Sequence, residues 1–250
     1  MPATLPKFLL VTPVWNDTVR LEHFGIELAK VLAVSGLNIT WVIADDGSDT
    51  DEVVHLERLK EKFSQIYSDV LLHLHPERSF KGGAIYQSWQ QFPGADYYAF
   101  LDADGAVSAD ELMRMLNCAS DSENLDMSFV AVRHFSGSLA VDRSLLRKAT
   151  FHFFRILVRG IVGLKWMDTQ CGAKVISGRS YRAISERLVE DGFVFDVELL
   201  ATLEQGAWPI TELPIMWQEI PGSKLRLWRD LWFMTRGLMR IRRRLNTSDL

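Results

Sequence analysis

The sequence predicts an α/β fold in which one mainly parallel sheet carries helices on both faces. Short apolar runs of the length of buried strands alternate with helix-length segments along the chain. Most of these runs are continuously apolar, which is typical of parallel strands buried on both faces. Acidic residues follow several of them, at the sheet edge where α/β proteins bind their ligands. With 250 residues, 48% of them hydrophobic, the chain is long enough for one such domain with a sizeable core.

The first half of the chain predicts five strands with helices between them. The apolar runs place the strands at residues 8–14, 39–44, 70–74, 97–101 and 128–132. Helical spacing and capping signals place helices at residues 21–32, 51–66, 82–91 and 108–119. Ser108 and Glu111 form a capping box at the start of the last of these. The order β-α-β-α-β-α-β-α-β is the signature of a mainly parallel sheet with right-handed connections.

The second half predicts two long helices with shorter elements between them. Residues 143–165 form a very apolar helical pattern with six basic residues, and an arginine-rich amphipathic helix follows from residue 225. Strands are expected at residues 175–176 and 210–213, and residues 193–200 form an acidic segment, FVFDVELL. The 143–165 helix fits two environments, a membrane surface or a protein core from which the arginines extend to solvent. Both interpretations stay open.

The charge of the chain is unevenly distributed. The net charge is −4, but from Gly222 to Leu250 eight basic residues stand against two acidic ones, which gives +6 and leaves −10 for the first 221 residues. An acidic body with a basic tail indicates an anionic partner or surface for the tail. The run IRRR also fits a nucleic-acid-binding protein, but the acidic body argues against that class.

Other classes of protein are disfavoured by what the sequence lacks. Cys118 and Cys171 lie far apart and have no CxxC or histidine spacing, so we expect no disulfide and no zinc site but a reducing, cytoplasmic environment. No stretch of eighteen uncharged apolar residues occurs, and the N-terminus lacks a signal-peptide pattern, so we expect no membrane-spanning segment. The first strand is not followed by G-x-G-x-x-G, and no P-loop motif occurs.

The strongest site signal is the segment 97–105, YYAFLDADG. A buried strand ends abruptly in Asp102, Ala103, Asp104 and Gly105. In extended chain the two carboxylates point to the same side, and such oxygen ligands suit Mg²⁺ or Mn²⁺ together with substrate phosphates. The alternative is an ordinary Asp-Gly turn. However, acidic residues follow three of the predicted parallel strands, so that their side chains are expected at one sheet edge: Asp17, Asp45, Asp46, Asp102 and Asp104.

A series of motifs in order along the chain resembles glycosyltransferases of family 2 with the GT-A fold, most closely the dolichyl-phosphate glucose or mannose synthase branch. These motifs are PVWND at 13–17, DDGS at 45–48, KGGA at 81–84, DADG at 102–105, RSLLR at 143–147, DTQCGAK at 168–174, FDVELL at 195–200 and GSKL at 222–225. In the first motif Trp15 and Asp17 stand where the family has tyrosine and glutamate. The sequence departs from the family pattern in two ways, since we expect neither the N-terminal membrane-spanning anchor of the eukaryotic glucose enzymes nor the C-terminal transmembrane helices of many bacterial relatives.

The resemblance implies a donor site and a metal site. The residues expected to contact the nucleotide sugar are Pro13, Asp17, Asp45, Asp46, Lys81, Asp102, Ala103 and Asp104. Of these, Asp102 and Asp104 would hold Mg²⁺ or Mn²⁺ against the diphosphate, and Asp104 would take part directly in catalysis.

The resemblance also implies an acceptor site for a lipid phosphate. The candidates to hold the phosphate are Arg133, Arg143, Arg147 and Lys224, each of which has surface solubility as its alternative role. Asp168 would orient the acceptor or act as a base, or else is a loop carboxylate that caps a turn. Arg133 and Asp168 are therefore the remaining candidate catalytic residues. The sequence is equally consistent with Glu198 as a helix residue that pairs with a cation.

The activity implied is inverting, metal-dependent transfer of a hexose from a nucleotide sugar to a polyprenyl or dolichyl phosphate, with UDP-glucose favoured over GDP-mannose. The alternative is a soluble family 2 enzyme with a sugar or other small-molecule acceptor. We expect residues 1–221 to be the catalytic domain and residues 222–250 to be a basic amphipathic helix at a membrane surface or an interface. We also expect a cytoplasmic location, at the inner face of the membrane. We expect no nucleic-acid partner, and a homodimer is a further expectation.

Overall fold

A seven-stranded sheet lies at the centre of the part of the chain that the computed structural model describes, residues 5–134, 145–218, 220 and 227–247. The strands are β1 (Lys7–Val14), β2 (Asn38–Asp45), β3 (Val70–Leu74), β4 (Tyr97–Leu101), β5 (Ser128–His134), β6 (Ala173–Ser177) and β7 (Ile210–Met216). The helices are α1 (Thr18–Val34), α2 (Thr50–Ser64), α3 (Phe80–Gln91), α4 (Ala109–Ser120), α5 (Leu145–Ile161), α6 (Gly178–Ile184), α7 (Phe195–Gln205) and α8 (Leu227–Thr247). The predicted α/β class is confirmed.

The sheet is mainly parallel, with the strand order β3-β2-β1-β4-β6-β5-β7. Strands β1 to β4 pair in parallel, and β7 is parallel to β5. Only β6, among the described strands, runs in the opposite direction, since it is antiparallel to both β4 and β5. Because β6 runs backwards, the segment that precedes it enters the sheet beside the end of β4, where Asp102 N donates to Gly172 O at 2.9 Å.

The core has one layer on each face of the sheet because alternate residues of each strand point to opposite sides. Phe8 and Leu10 of β1 pack with apolar residues of α1, α2 and α4, whereas Leu9 and Val11 pack with those of α3, α6 and α7. All five residues of β4 are buried, as the continuous apolar run predicts. These two layers fix the carboxyl ends of β1, β2 and β4 side by side.

A third apolar layer joins α5, α7 and α8. Leu238 and Ile241 of α8 are buried against Phe154 of α5 and Leu200 of α7. The C-terminal helix therefore docks on the rest of the protein. Residues 222–226 lie outside the described residues, so the expected domain boundary at residue 221 stays a prediction. Within the described part of the chain, no helix combines the length and apolar character needed to cross a bilayer.

The predicted elements are confirmed with a few additions. The Ser108 cap is present, since its hydroxyl accepts a hydrogen bond from Glu111 N at 3.2 Å. The segment FDVELL proves to be the start of α7, and α6 was not predicted at all. Along α7 the residues from Phe195 to Leu203 are all buried, so this helix shows no alternation of polar and apolar faces that the sequence could reveal.

Candidate active site

A cleft of about 1160 Å³ opens where β1, β2 and β4 end. Seven of the eight residues predicted for the donor site line this cleft: Pro13, Asp17, Asp46, Lys81, Asp102, Ala103 and Asp104. The eighth, Asp45, lies behind it. Asp45 is buried, and its carboxylate accepts hydrogen bonds from Ser48 N at 3.2 Å, which shapes the turn after β2.

The two carboxylates of the DADG segment lie in the cleft directly after β4. Asp104 Oδ1 accepts a hydrogen bond from Ala106 N at 3.0 Å, and this bond closes the turn. Gly105 adopts φ +75°, and a Cβ atom there would lie 3.1 Å from the Phe24 ring, so the turn needs glycine. The chain can therefore leave β4 sharply and keep both carboxylates at its end.

Each carboxylate of this pair has a cationic neighbour. Lys81 Nζ lies 2.6 Å from Asp102 Oδ1, and Arg20 Nη1 lies 3.7 Å from Asp104 Oδ2. Burial opposes the charge of Lys81, but Asp102 and Asp196 outweigh it and raise the pKa of the ammonium group, which stays charged. Arg20 is also hydrogen-bonded to Asp17 through two nitrogens. Arg20, which lies in the first turn of α1, was not predicted from the sequence.

The acidic pair fits a divalent cation. Burial and then the neighbouring charge of Asp102 raise the pKa of Asp104, so the two carboxylates repel one another in a place where a cation would relieve the repulsion. A Cβ atom at Gly172 would come within 2.4 Å of Asp102 Oδ2. The backbone of Gly172 therefore forms this side of the site. Among the described residues no group of three or more His, Cys, Asp or Glu could hold a metal. Asp102 and Asp104 would thus supply part of a shell that phosphates and water complete.

A stacked pair of side chains forms the other end of the cleft. The Arg78 guanidinium lies 3.3 Å from the centroid of the Trp15 ring and 4.9 Å from the centroid of the Phe80 ring. Asp46 accepts hydrogen bonds from Ser79 N at 2.6 Å and Ser79 Oγ at 3.2 Å. Burial nevertheless raises the pKa of Asp46. The sequence singled out Trp15 only as a departure from a motif, and it did not reveal Arg78.

The loop that carries Arg78 can reach the cleft because of a glycine. Gly47 of the DDGS motif adopts φ +66°, and a Cβ atom there would come within 2.6 Å of the Arg78 backbone nitrogen. The loops after β2 and β3 therefore pack backbone to backbone. Any side chain at residue 47 would push Arg78 away from Trp15.

Arg133 and Asp168 form an ion pair in which the carboxylate is buried and the guanidinium is partly exposed. Arg133 Nε and Nη2 donate to the two oxygens of Asp168 at 2.5 and 2.8 Å, and the backbone nitrogens of Arg133 and Gln170 add bonds at 3.3 and 3.2 Å. Burial opposes the charge of Asp168, but the hydrogen bonds and charge of Arg133 outweigh it and lower the pKa of the carboxyl. The Arg133 guanidinium also lies 5.5 Å from the Trp217 ring.

The other predicted acceptor residues are not placed by the structure. Arg143 and Lys224 lie outside the described residues, and Arg147 falls in α5, in the part whose side chains are not described. Their roles stay predictions. The expected pairing of Glu198 with a cation is confirmed, because Arg244 Nη2 lies 2.7 Å from Glu198 Oε1.

Two buried charged clusters were not predicted. Lys174 is fully buried in β6, and its Nζ donates to Asp196 Oδ1 at 2.5 Å and to Cys171 O at 3.1 Å. Its Nζ also lies 5.1 Å from the Phe100 ring. The second cluster joins Glu190 and Glu198 to arginines of α8, as described below. In both, the partners come from distant parts of the chain, so no local pattern could have revealed the pairs.

The sheet is mainly parallel, and a large cleft and a carboxylate pair lie at its carboxyl edge. These features are typical of the α/β proteins that bind nucleotides. The sequence profile of "Glycosyl transferase family 2" matches residues 11–181, so the chain belongs to this family and is a glycosyltransferase. The family expected from the motifs is confirmed.

Several relatives are similar over most of the chain. The dolichyl-phosphate beta-glucosyltransferase of Saccharomyces cerevisiae is 30% identical over 247 residues, which cover 93% of this chain and 73% of that protein. The Dictyostelium discoideum protein of the same name is 29% identical, again over 93% of this chain and 73% of the relative. The likeness to the dolichyl-phosphate glucosyltransferase branch thus extends beyond the matched family profile.

Solved structures share the fold. Glucosyl-3-phosphoglycerate synthase from Mycobacterium tuberculosis, in complex with Mn²⁺, UDP and phosphoglyceric acid, superimposes with a TM-score of 0.69 at 15% identity and covers 96% of this chain and 78% of that one. The same enzyme with Mg²⁺ and UDP gives a TM-score of 0.65 at 14% identity, over 94% of this chain and 78% of that one. The predicted GT-A fold is therefore confirmed.

Proposed function

We propose that this protein transfers glucose from UDP-glucose to a polyprenyl phosphate, with inversion at the sugar and with the help of Mg²⁺ or Mn²⁺. The observation that carries the proposal is the Asp102–Asp104 pair at the end of β4, inside a cleft large enough for a nucleotide sugar. The similarity to dolichyl-phosphate beta-glucosyltransferases over 93% of the chain supports the choice of sugar and acceptor.

Asp102 and Asp104 would hold the divalent cation, as the repulsion between them favours. When bound, the cation supplies Lewis-acid stabilisation of the negative charge that develops on the leaving nucleoside diphosphate. Lys81 and Arg20 already lie beside these carboxylates and carry positive charge toward the same space. They would bind the diphosphate from the protein side. The Mn²⁺ and Mg²⁺ complexes of glucosyl-3-phosphoglycerate synthase with UDP support this arrangement.

Trp15 and Arg78 would form the platform for the base. Their stacked planes present a flat, cationic surface on which a nucleobase can lie. Asp46 lies in the same end of the cleft, where a carboxylate oxygen can accept the N–H of uracil. Pro13 and Asp17 also line the cleft and would contact the ribose.

The acceptor chemistry needs positioning more than proton removal. A phosphate monoester is ionised at neutral pH, so the attacking oxygen requires no strong base. Asp168 suits an orienting role, because its lowered pKa and its bidentate bond to Arg133 make it a weak base that fixes a guanidinium. Arg133 would then direct its charge at the acceptor phosphate, together with Arg143, Arg147 and Lys224.

The acceptor would reach the enzyme at a membrane surface. The packed helices α5 and α8 expose large apolar side chains, of which Ile156 and Trp232 are 65% and 61% exposed. Exposed arginines surround them: Arg155, Arg159, Arg236, Arg242 and Arg243. Basic side chains near an anionic leaflet contribute about 1 kcal/mol each, so this surface would support peripheral attachment at the cytoplasmic face. A homodimer stays a prediction.

The donor is tested by thermal unfolding with Mn²⁺ and a panel of UDP- and GDP-sugars. A ligand at about a hundredfold its Kd adds about 2.7 kcal/mol, which corresponds to a rise in Tm of roughly 5–11 °C for a chain of this size. We expect the largest rise with UDP-glucose and none in Asp102→Asn. Asp121→Asn, at an exposed residue outside the cleft, is the matched control. A larger rise with GDP-sugars would overturn the donor.

The acceptor is tested by turnover and by binding to vesicles. We expect UDP-glucose turnover with a polyprenyl phosphate and co-sedimentation with anionic liposomes at physiological salt. Trp232→Ser combined with Arg236→Gln should reduce sedimentation and leave Mn²⁺-dependent UDP binding unchanged. Faster glucosylation of a water-soluble acceptor, with the protein left in the supernatant, would favour the soluble alternative.

A further inference from the structure

The loop of residues 189–194 forms one wall of the cleft and is bound to the first turn of α3. Residues 190–194 all line the cleft. The carbonyl of Asp191 accepts hydrogen bonds from Gly82 N at 2.7 Å and Gly83 N at 3.2 Å. These glycines follow Lys81, whose ammonium lies 2.6 Å from Asp102. The position of the 189–194 loop therefore sets the position of Lys81.

Charged groups of α8 hold the other side of this loop. Arg240 donates to Glu190 through Nε at 2.9 Å and Nη2 at 2.5 Å. Arg244 Nη2 lies 2.7 Å from both Glu190 Oε1 and Glu198 Oε1. Both glutamates are almost fully buried. We call these four residues the arginine clamp.

Glu198 connects the clamp to the loop backbone. Its Oε2 accepts hydrogen bonds from the backbone nitrogens of Val189 at 2.9 Å and Glu190 at 2.7 Å. One carboxylate of α7 thus holds the start of the loop through one oxygen and α8 through the other. Removal of Arg244 would leave this buried carboxylate with its two backbone hydrogen bonds and without its contact to a cation of α8.

Helix α8 also contacts the loop by close packing. A Cβ atom at Gly237 would come within 2.5 Å of Val194 Cγ2, so the helix backbone lies directly on the loop. Phe233, Met234 and Arg240 of α8 themselves line the cleft. The helix is therefore part of the wall of the donor site as well as the exposed face described above.

We propose that Arg240 and Arg244 are positioning residues for donor binding. Through Glu190 and Glu198 they hold the 189–194 loop on helix α8. The loop in turn keeps Lys81 against the acidic pair. This inference rests on the proposed nucleotide-sugar site. Arg240 itself lines the cleft, whereas Arg244 is not among the residues that line it, so the effect of Arg244 on donor binding would be indirect and Arg244→Gln is the cleaner test of positioning. Loosening α8 should weaken donor binding and leave the reacting groups themselves intact.

The first test uses Arg240→Gln, Arg244→Gln and the double variant, with Arg243→Gln at an exposed residue of the same helix as the matched control. The probe is UDP with Mn²⁺, titrated calorimetrically at a temperature where circular dichroism shows each variant folded. We expect the double variant to bind UDP about tenfold more weakly, within the usual range of coupling between sites. KM for UDP-glucose should rise by a similar factor, with a smaller change in kcat. Wild-type affinity in the folded double variant would overturn the proposal.

Two further variants separate positioning from general destabilisation. Glu190→Gln weakens the contacts to both Arg240 and Arg244, so it should reduce UDP binding at least as much as Arg240→Gln, and the pair together should be no worse than Glu190→Gln alone. Gly237→Ala leaves the four charged residues of the clamp unmutated. Its Cβ atom would meet Val194 and force α8 and the loop to shift apart. Alanine favours the helix over glycine, so weaker UDP binding in this variant cannot come from a less stable helix. Additive effects in the pair would contradict the clamp.

Hydrogen exchange distinguishes failure of the clamp from failure of the donor site. The amides of Gly82, Gly83 and residues 189–194 should exchange faster in the double variant without any ligand. If they do so but the wild-type protein does not bind UDP with Mn²⁺, the clamp is supported and the proposed donor is wrong. If exchange is unchanged while the wild type binds UDP, the proposed donor is supported and the clamp is wrong.

Discussion

Replacement of Asp168 by asparagine should destabilise the protein strongly, although the change is nearly isosteric. Asp168 is 3% exposed and receives two bonds from the Arg133 guanidinium, at 2.5 and 2.8 Å. Removing one partner of a buried ion pair costs about 3–5 kcal/mol, and the 16% exposure of the Arg133 side chain reduces this cost. Asparagine keeps one oxygen acceptor, so we expect a loss of stability at the lower end of this range, about 3 kcal/mol. At 2–4 °C per kcal/mol this is a fall in Tm of roughly 6–12 °C.

The pH dependence of this effect follows from the lowered pKa of Asp168. A carboxyl whose folded-state pKa lies below its unfolded value of about 3.9 adds stability above that value and loses it as the pH falls through the folded pKa. The difference in Tm between the wild type and Asp168→Asn should therefore be constant from about pH 8 to 5 and shrink below about pH 4.

Calorimetric or fluorescence melting curves across this pH range measure the effect. Glu22→Gln, which breaks the exposed pair between Glu22 and Lys62, is the control and should change Tm little. Arg133→Met with Asp168→Leu should recover much of the lost stability, because the pair is then replaced by apolar groups. A fall of less than about 2 °C in Asp168→Asn at pH 7 would refute the burial argument.

Three further predictions concern the cleft and its surroundings. Asp104→Ala should abolish the Mn²⁺-dependent rise in Tm with UDP, and an unchanged rise would remove Asp104 from the metal site. Trp15→Ala should weaken UDP binding by about 1–3 kcal/mol, the usual worth of stacking on an aromatic ring, and calorimetric titration against Trp208→Ala as control measures it. Burial lowers the pKa of both His73 and His75 below the unfolded value of about 6.5, so stability should fall from about pH 7 to 5 as the unfolded chain takes up protons first. That decline in Tm should be shallower in His75→Gln.

The sequence was informative wherever a local pattern carries the structure. Continuous apolar runs located β1, β2 and β4, and short motifs at their ends located most of the cleft. The direction of a strand, in contrast, is not visible in a local sequence pattern. The run at residues 175–176 looks the same whether β6 is parallel or antiparallel, because its direction depends on how the preceding segment packs beside Asp102.

The missed residues of the site reach it through tertiary contacts. Arg78 comes from the loop after β3, and its place on Trp15 depends on the pairing of β2 with β3 and on the contact at Gly47. Lys174 and Asp196 are 22 residues apart and meet only once β6 and α7 are packed. Charged residues in apolar segments were visible in the sequence, but their partners were not.

The basic tail shows what a count of charges cannot separate when the fold is unknown. From sequence, its arginines together indicated an anionic partner or surface, and this stays a prediction. In the structure, two of them, Arg240 and Arg244, pair with two buried glutamates of the acidic body. Part of the charge asymmetry between body and tail is therefore internal, and it binds α8 to the wall of the cleft. The exposed arginines that remain on α8, Arg236, Arg242 and Arg243, lie on the same helix as Trp232. One helix thus carries both the exposed basic residues and the two arginines that pair with the buried glutamates.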